Sequence, residues 1–183
     1  MARRALTGAL LVGGASVRFG SPKALAVLGG ETLAERGWRI LGELCEERVA
    51  VGKTEDGLEL PFPIVDDATD VRAPIAGVVA ALRAARHELC IVLPVDCPLV
   101  TAELLGTLAD GLGDADVAVP QTGPLPGAYR KTLLPVLERR LADGSLALRD
   151  ALDELETRVV RCDPDLLVNA NRPEDLRLMC PGR

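Results

Sequence analysis

The sequence predicts an α/β fold in which helices cover both faces of a mostly parallel sheet. Short apolar runs rich in Val and Ile alternate with stretches of helical length along the chain. Turns that contain Gly or Asp follow several of these runs. Such alternation is typical of βαβ units, in which the crossover helices cover the parallel strands. We therefore expect a Rossmann-like arrangement of three layers.

The individual elements follow from this pattern. The predicted strands are residues 5–12, 48–52, 62–65, 89–95, 116–120 and 157–161. The predicted helices are residues 32–45, 74–86, 101–112, 132–142 and 146–155, with a short last helix that starts at residue 173. Pro74 and Pro173 suit the first turn of a helix, where the N–H that proline lacks is not needed. Residues 123–127 are rich in Pro and Gly and predict a turn or a lid.

Composition and charge limit the classes of function. With 183 residues, 48% of them hydrophobic, the chain is long enough for one domain with a sizeable core. Its net charge is −6, whereas a general nucleic-acid binder needs a basic face to neutralise phosphates. Aromatic residues make up only 2%, too few to stack on a series of unpaired bases. We expect a single domain over residues 1–183 and no nucleic-acid partner.

The cysteines and the N-terminal region indicate the compartment. Five cysteines form no C-x-x-C pair and there is a single histidine, His87, which argues against a zinc site. Unpaired thiols of this kind are typical of the reducing cytoplasm. Cys97 adjoins Asp96, but no histidine is placed to activate it as a nucleophile. The apolar run near the N-terminus is short, so we expect neither export nor a membrane partner, and a cytoplasmic location.

The most informative segment follows the first predicted strand. Gly13 and Gly14 end that strand, and Arg18 and Lys23 come shortly after. Glycines let the backbone approach a ligand, and their N–H groups bind phosphates, while Arg and Lys supply cations. The spacing fits neither a Walker A loop nor the dinucleotide fingerprint G-x-G-x-x-G. The segment predicts a triphosphate-binding loop; the alternative is a glycine-rich turn with two solvated cations.

Candidate site residues follow three of the predicted strands. The polar residues are the pair Asp66 and Asp67, and Asp96, which ends the apolar run 89–95; the loop of Gly13 follows the first strand. In parallel sheets ligands bind beyond the carboxyl ends of the strands, so these residues are expected to share one site. Mg²⁺ prefers one or two carboxylates together with substrate phosphates, which fits a single aspartate facing a triphosphate. The alternatives are a capping aspartate at position 96 and an Asx turn at 66–67.

Five segments resemble, in the same order, those of the MobA-like nucleotidyltransferases. The first is L-x-G-G-x-S-x-R-x-G-x-x-K, at residues 11–23, and the others are residues 66–82, 91–100, 124–135 and 169–176. The segments 124–135 and 169–176, P-L-x-G-x-Y-R and N-x-N-x-P-E-D-L, are similar to the guanylyltransferase branch that acts on the molybdenum cofactor. The resemblance implies a single-domain nucleotidyltransferase fold. It also implies transfer of GMP from Mg·GTP to the phosphate of molybdopterin, with release of pyrophosphate.

The resemblance also implies roles for individual residues. Arg18, Lys23 and Asp96 are expected to be catalytic, with Asp96 as the Mg²⁺ ligand. The expected nucleotide-binding residues are Leu11, Val12, Gly13, Gly14, Lys23, Asp66, Asp67, Asp96, Asn169 and Asn171. The match to the aspartate that contacts the nucleotide falls on Asp66, and a shift of one residue moves it to Asp67. The alternative for Asn169 and Asn171 is capping of the last helix.

The sequence departs from the family pattern in places, and other functions stay open. Gly52 stands where family members can carry an asparagine that contacts the nucleotide, Val12 replaces an alanine, and Arg172 replaces a threonine. The alternatives are a molybdopterin cytidylyltransferase, a transferase for another small phosphate, and a non-catalytic chaperone that binds nucleotide or cofactor. The expected partners are GTP and molybdopterin, with transient contacts to proteins that deliver or accept the cofactor.

Overall fold

The computed structural model describes residues 3–13, 19 and 22–179. Its strands are β1 (Arg4–Leu11), β2 (Val27–Leu28), β3 (Glu31–Thr32), β4 (Cys45–Gly52), β5 (Ile64–Asp66), β6 (Leu89–Pro94), β7 (Val117–Pro120), β8 (Gly127–Arg130) and β9 (Thr157–Val160). Its α-helices are α1 (Leu33–Leu44), α2 (Pro74–Ala84), α3 (Ala102–Gly111), α4 (Leu134–Ala142), α5 (Leu148–Leu152) and α6 (Pro173–Met179). Within the described residues no helix is long and apolar enough to cross a bilayer.

Seven of the strands form a central sheet in the order β5-β4-β1-β6-β8-β7-β9. β1 pairs in parallel with β4 on one side and β6 on the other, and β4 pairs in parallel with β5. Four neighbouring strands therefore end at the same edge of the sheet, which is where the sequence predicts the site. β2 and β3 form a separate short hairpin that the hydrophobic pattern does not reveal.

Aliphatic side chains form one core on each face of the sheet. α1 and α3 cover one face, and α2, α4 and α5 cover the other. Two glycines allow helices to approach β1 closely. A Cβ atom on Gly37 of α1 would lie 2.6 Å from the Leu10 side chain, and one on Gly77 of α2 would lie 3.1 Å from Leu11. The mostly parallel sheet with helices on both faces is confirmed.

An unexpected strand begins at the last residue of the segment predicted as a turn or lid. β8 runs antiparallel to both β6 and β7 in the interior of the sheet. Tyr129 of β8 is fully buried and its hydroxyl donates a hydrogen bond of 2.5 Å to the Pro124 carbonyl, so its role is structural. A strand of four residues that contains Gly127 and only one residue type favoured in strands, Tyr129, carries a weak strand signal.

The ends of several other elements differ from the prediction. α1 ends at Leu44 and β4 begins at Cys45 with no loop between them, whereas the sequence predicts a strand from residue 48. The start of α1 follows local chemistry, because Thr32 and Glu35 form a reciprocal capping box. The start of β4 follows tertiary pairing, because Cys45 is opposite Arg4 of β1. Pairing partners of this kind are not visible in a local sequence pattern.

Candidate active site

A cavity of about 340 Å³ lies at the edge of the sheet where β1, β4, β5 and β6 end. Six of the predicted site residues line it, namely Leu11, Val12, Gly13, Lys23, Asp67 and Asp96. The N-terminal end of α2 lines it as well, through Pro74 and Gly77. Two further predicted site residues, Gly14 and Arg18, lie outside the described residues. The cavity thus joins residues that are far apart in the sequence.

At one end of the cavity, called the Lys23 end below, a lysine, an aspartate and an asparagine meet. The Lys23 ammonium lies 3.2 Å from Asp96 Oδ2 and 3.2 Å from Asn171 Oδ1. The side chains of Lys23 and Asp96 are 19% and 24% exposed, so water and ligands reach this ion pair. A cation beside a carboxylate at a strand end is suited to phosphate oxygens and a metal ion.

The segment 169–171 is attached directly to the loop that carries Asp96. The backbone N–H of Ala170 donates a 2.8 Å hydrogen bond to the carbonyl of Asp96. Asn169 Oδ1 lies 3.1 Å from Cys97 Sγ, and burial together with the Asp96 charge raises the pKa of that thiol. A thiol held protonated is a hydrogen-bond donor rather than a nucleophile. Asn169 therefore fixes the segment, and Asn171 reaches the cation.

Capping of the last helix is not done by the asparagines. Asp175 Oδ2 accepts hydrogen bonds from the backbone N–H groups of Asn171 and Arg172, at 2.7 Å and 2.8 Å. A carboxylate in the first turn that reaches back in this way satisfies N–H groups at the helix start. The alternative role predicted for Asn169 and Asn171 is therefore wrong. Position 172 contributes its backbone to this contact, which makes the replacement of threonine by arginine compatible with it.

The other end of the cavity, called the Lys53 end below, holds a buried ion pair. Lys53 Nζ lies 2.9 Å from Asp67 Oδ1, and the two side chains are 5% and 10% exposed. The same ammonium donates a hydrogen bond to the Thr69 carbonyl. Lys53 directly follows β4 and Asp67 directly follows β5, so the pair joins the loops after two neighbouring strands. Buried charges need partners of this kind.

The two adjacent aspartates have different environments. Asp66 accepts hydrogen bonds from the Thr54 N–H, the Thr54 hydroxyl and the Ala68 N–H, at 2.8, 2.5 and 2.7 Å. These bonds, chiefly those from Thr54, lower the pKa of Asp66 to about 2. Asp67 lines the cavity, and Asp66 lies beside a neighbouring groove formed by the Thr54 and Ala68 loops. Of the two alternatives, the geometry favours Asp67 for contact with a ligand.

Sequence reasoning missed Lys53 and Arg72, both of which line the cavity. Arg72 forms ion pairs with Glu55 and Asp56 at 2.9 Å and 2.8 Å, which connect the loops after β4 and β5 across the solvent side. A lysine directly after a predicted strand is the signal that could have pointed to position 53. Nothing in the local sequence distinguishes a buried lysine there from a solvated one.

Residues 8–159 match the family described as the MobA-like NTP transferase domain. The chain belongs to this family. A protein from Carboxydothermus hydrogenoformans described as a probable molybdenum cofactor guanylyltransferase is 31% identical in an alignment 182 positions long, which covers 93% of this chain and 92% of the relative. The molybdenum cofactor guanylyltransferase of Desulfosudis oleivorans is 32% identical in an alignment 187 positions long, which covers 94% of this chain and 93% of that protein.

A solved structure agrees with this assignment. Molybdopterin-guanine dinucleotide biosynthesis protein A from Archaeoglobus fulgidus superimposes with a TM-score of 0.79 at 26% identity, covering 94% of this chain and 95% of that one. The predicted family, the fold class and the nucleotidyltransferase activity class are thereby confirmed. In this MobA-like transferase the candidate site lies at the carboxyl ends of strands of the central sheet.

The donor set of this MobA-like transferase fits a magnesium ion that binds together with a triphosphate. The described residues contain no group of three or more His, Cys, Asp or Glu side chains that could hold a metal ion by themselves. Mg²⁺ is commonly bound through one or two carboxylates plus substrate phosphates. Asp96 supplies one partly exposed carboxylate at the Lys23 end. The residues present therefore suit Mg²⁺ better than a metal enclosed by protein ligands.

Proposed function

We propose that this transferase moves GMP from Mg·GTP to the phosphate of molybdopterin and releases pyrophosphate. The observation that carries the proposal is the meeting of Lys23, Asp96 and Asn171 at the edge of the sheet. The relatives named as molybdenum cofactor guanylyltransferases support the choice of substrates. GTP and molybdopterin are the proposed small-molecule partners. Proteins that deliver and accept the cofactor are proposed as transient partners, in the cytoplasm.

The reaction needs no nucleophile from the enzyme. A phosphate oxygen of molybdopterin attacks the α-phosphorus of GTP and forms a new P–O bond. The bond between the α-phosphorus and the bridging oxygen breaks, and its electrons leave with pyrophosphate. Catalysis of such a step comes mainly from positioning the reactants and from stabilising the charge that develops on the phosphate oxygens.

The residues of the Lys23 end have separate tasks in this step. Lys23 would bind the phosphate oxygens and stabilise the leaving pyrophosphate. Its ammonium is in position for this because it lies beside Asp96, where the Mg²⁺-bound phosphates are proposed to bind. Asp96 would hold Mg²⁺, which when bound neutralises the phosphate charge. Asn171 would keep the lysine directed to the site through the contact of 3.2 Å. Arg18, by its position in the glycine-rich segment, is proposed as a second phosphate ligand.

The order of the strands supports one direction for the proposed nucleotide. Asp96 follows β6, Gly13 follows β1, Lys53 follows β4 and Asp67 follows β5, and these strands are neighbours in that order. From β6 to β5 there are three spacings between neighbouring strands, which add up to about 14 Å. This distance suits a nucleotide that extends from its phosphates to its base. With the triphosphate at the Lys23 end, the ribose lies near Gly13 and the base lies at the Lys53 end.

The experiment that tests the proposal is pyrophosphate release from GTP, CTP and ATP, with and without metal-loaded molybdopterin, in the presence of Mg²⁺. We expect release with GTP that depends on the pterin. Release with CTP alone would assign the chain to the cytidylyl alternative. Tight nucleotide binding without release from any of the three would contradict the molybdopterin assignment and favour another acceptor or a binding module.

A further inference from the structure

We propose that Lys53 selects the base, by donating a hydrogen bond to the exocyclic keto oxygen O6 of guanine while Asp67 accepts from the N–H groups of the same edge. This inference rests on the proposed function, since it assumes that a guanine nucleotide occupies the cavity. It assigns a specificity-determining role to a residue that the sequence pattern did not single out.

The first argument is that Lys53 retains a proton for a ligand. An ammonium group has three N–H donors. The described residues supply two acceptors for them, Asp67 Oδ1 and the Thr69 carbonyl. Lys53 lines the cavity although its side chain is only 5% exposed. A buried cation at a cavity wall that has one donor unused is suited to an uncharged acceptor on the ligand, such as a carbonyl oxygen.

The second argument is that Asp67 retains an acceptor. Lys53 Nζ and the Thr69 N–H both bind Asp67 Oδ1, at 2.9 Å and 3.3 Å, and within the described residues Oδ2 accepts no hydrogen bond. Lys53 and Asp67 therefore present a donor and an acceptor side by side. The pairing edge of guanine presents the keto oxygen O6 next to the donors N1–H and N2–H. The two sets are complementary, and the carboxylate can take both N–H groups.

The third argument is that the neighbouring position holds no side chain that could do this instead. A Cβ atom on Gly52 would lie 3.0 Å from Val12 Cγ2 and 3.3 Å from the Gly13 nitrogen. The valine methyl thus occupies the space into which a side chain at position 52 would extend. Val12 and Gly52 are related by this contact, and position 52 offers no polar side chain to a base, whereas Lys53 does.

The proposal predicts how the protein treats a guanine whose keto oxygen is altered. In 6-thio-GTP sulfur, a much weaker acceptor, replaces O6, while N1–H and N2–H remain. In ITP the 2-amino group is missing and O6 remains. We expect the unaltered protein to bind GTP about tenfold more tightly than 6-thio-GTP, since a charge-assisted hydrogen bond is weakened. ITP should also bind more weakly than GTP, through the lost contact to Asp67.

The decisive variant is Lys53→Met, which keeps the length of the side chain and removes its donors. The ratio of GTP to 6-thio-GTP affinity should fall to about one, while the ratio of GTP to ITP affinity should remain, because Asp67 is intact. If Lys53 served merely to fix Asp67, the variant would weaken GTP and 6-thio-GTP alike and leave the first ratio unchanged, and the ratio of GTP to ITP affinity would fall, because the contact of Asp67 to the 2-amino group would be lost. Lys53→Gln, which keeps an uncharged donor, should restore part of the discrimination against 6-thio-GTP.

A matched control is Lys131→Met, which removes a lysine that donates to the Ala85 carbonyl away from the cavity. It should leave both ratios unchanged. Equal binding of GTP and 6-thio-GTP by the unaltered protein would overturn the proposal even if Lys53→Met does not fold. Binding is measured without pterin, so transfer activity together with equal affinities overturns this inference alone. Discrimination by Lys53 without transfer would contradict the molybdopterin assignment and leave the base contact standing.

Discussion

The two ends of the cavity each contain a lysine–aspartate pair, and the two pairs are built differently. At the Lys23 end, Lys23 Nζ and Asp96 Oδ2 are 3.2 Å apart, and the two side chains are 19% and 24% exposed, respectively. At the Lys53 end, Lys53 Nζ and Asp67 Oδ1 are 2.9 Å apart, and the two side chains are 5% and 10% exposed, respectively. The first pair is partly solvated and shares its lysine with Asn171, and the second is enclosed between two loops.

This difference matches the work that we propose for each end. Groups that bind a triphosphate and a metal ion must exchange partners in every turnover, and a solvated ion pair separates at little cost. Groups that read a base must present a fixed pattern of donors and acceptors, and burial holds such a pattern in place. The protein thus places an adaptable pair where charge develops and a rigid pair where the base is distinguished.

Of the variants considered for the two ends, Asp96→Asn should have the largest effect, and that effect is on turnover. Loss of the carboxylate removes the proposed Mg²⁺ ligand, so we expect turnover to fall by about 10²–10³-fold or more. The fold should persist, because Asp96 is partly exposed and its backbone carbonyl still accepts from Ala170. Steady-state pyrophosphate release and circular dichroism of the same sample measure the two effects. Full Mg²⁺-dependent activity in this variant would contradict the assignment of Asp96.

Substitution of the aspartate at the Lys53 end should lower the free energy of unfolding more than substitution at the Lys23 end. Asp67→Asn leaves the Lys53 ammonium buried without its counter-charge, which should cost about 3 kcal/mol of unfolding free energy. Asp96→Asn is the matched control, and should cost about 1 kcal/mol or less because its partner remains partly solvated. Urea unfolding of both variants measures the difference. Equal losses of unfolding free energy in the two variants would show that the difference in burial between the two ion pairs does not affect stability.

How much of this could be predicted from sequence depends on how local each signal is. Asp96 can be predicted as a candidate because an aspartate that ends an apolar run must be solvated, paired or bound to a metal, and the family resemblance implies the last of these. The sequence does not decide between Asp66 and Asp67, because the choice depends on the register in which Gly52 pairs with Asp66. Successive side chains of a strand point to opposite faces, so one residue of shift exchanges their roles.

Lys53 and β8 were missed for a related reason. A lysine after a strand looks the same in sequence whether it is solvated or buried, and its burial follows from the loop that carries Asp67 and Thr69. β8 is a strand because β6 and β7 bind it from both sides, not because its residues favour extended backbone. The strands and acidic residues with local signals define the site, and tertiary contacts decide which side chains complete it.

The smallest expected effect concerns Asp66, which lies next to the Lys53 end without lining the cavity. Hydrogen bonds from Thr54 and Ala68 lower its pKa from 3.8 to about 2, so the folded state binds this proton less readily than the unfolded state. Its contribution to stability is therefore present above pH 3.8 and is lost as the pH falls towards 2. Asp66→Asn should flatten the fall in urea midpoint over that window and leave GTP affinity unchanged.

Thr54→Val sharpens this test, because it removes the hydroxyl that makes one of the bonds to Asp66 and keeps the backbone N–H that makes another. We expect its pH dependence to lie between those of the unaltered protein and Asp66→Asn. The three urea midpoints, measured over the same acid range, should therefore form an ordered series. If the urea midpoint of Asp66→Asn fell with pH as steeply as that of the unaltered protein, another carboxylate would control stability in acid. A marked loss of GTP affinity in that variant would instead move the nucleotide contact from Asp67 to Asp66.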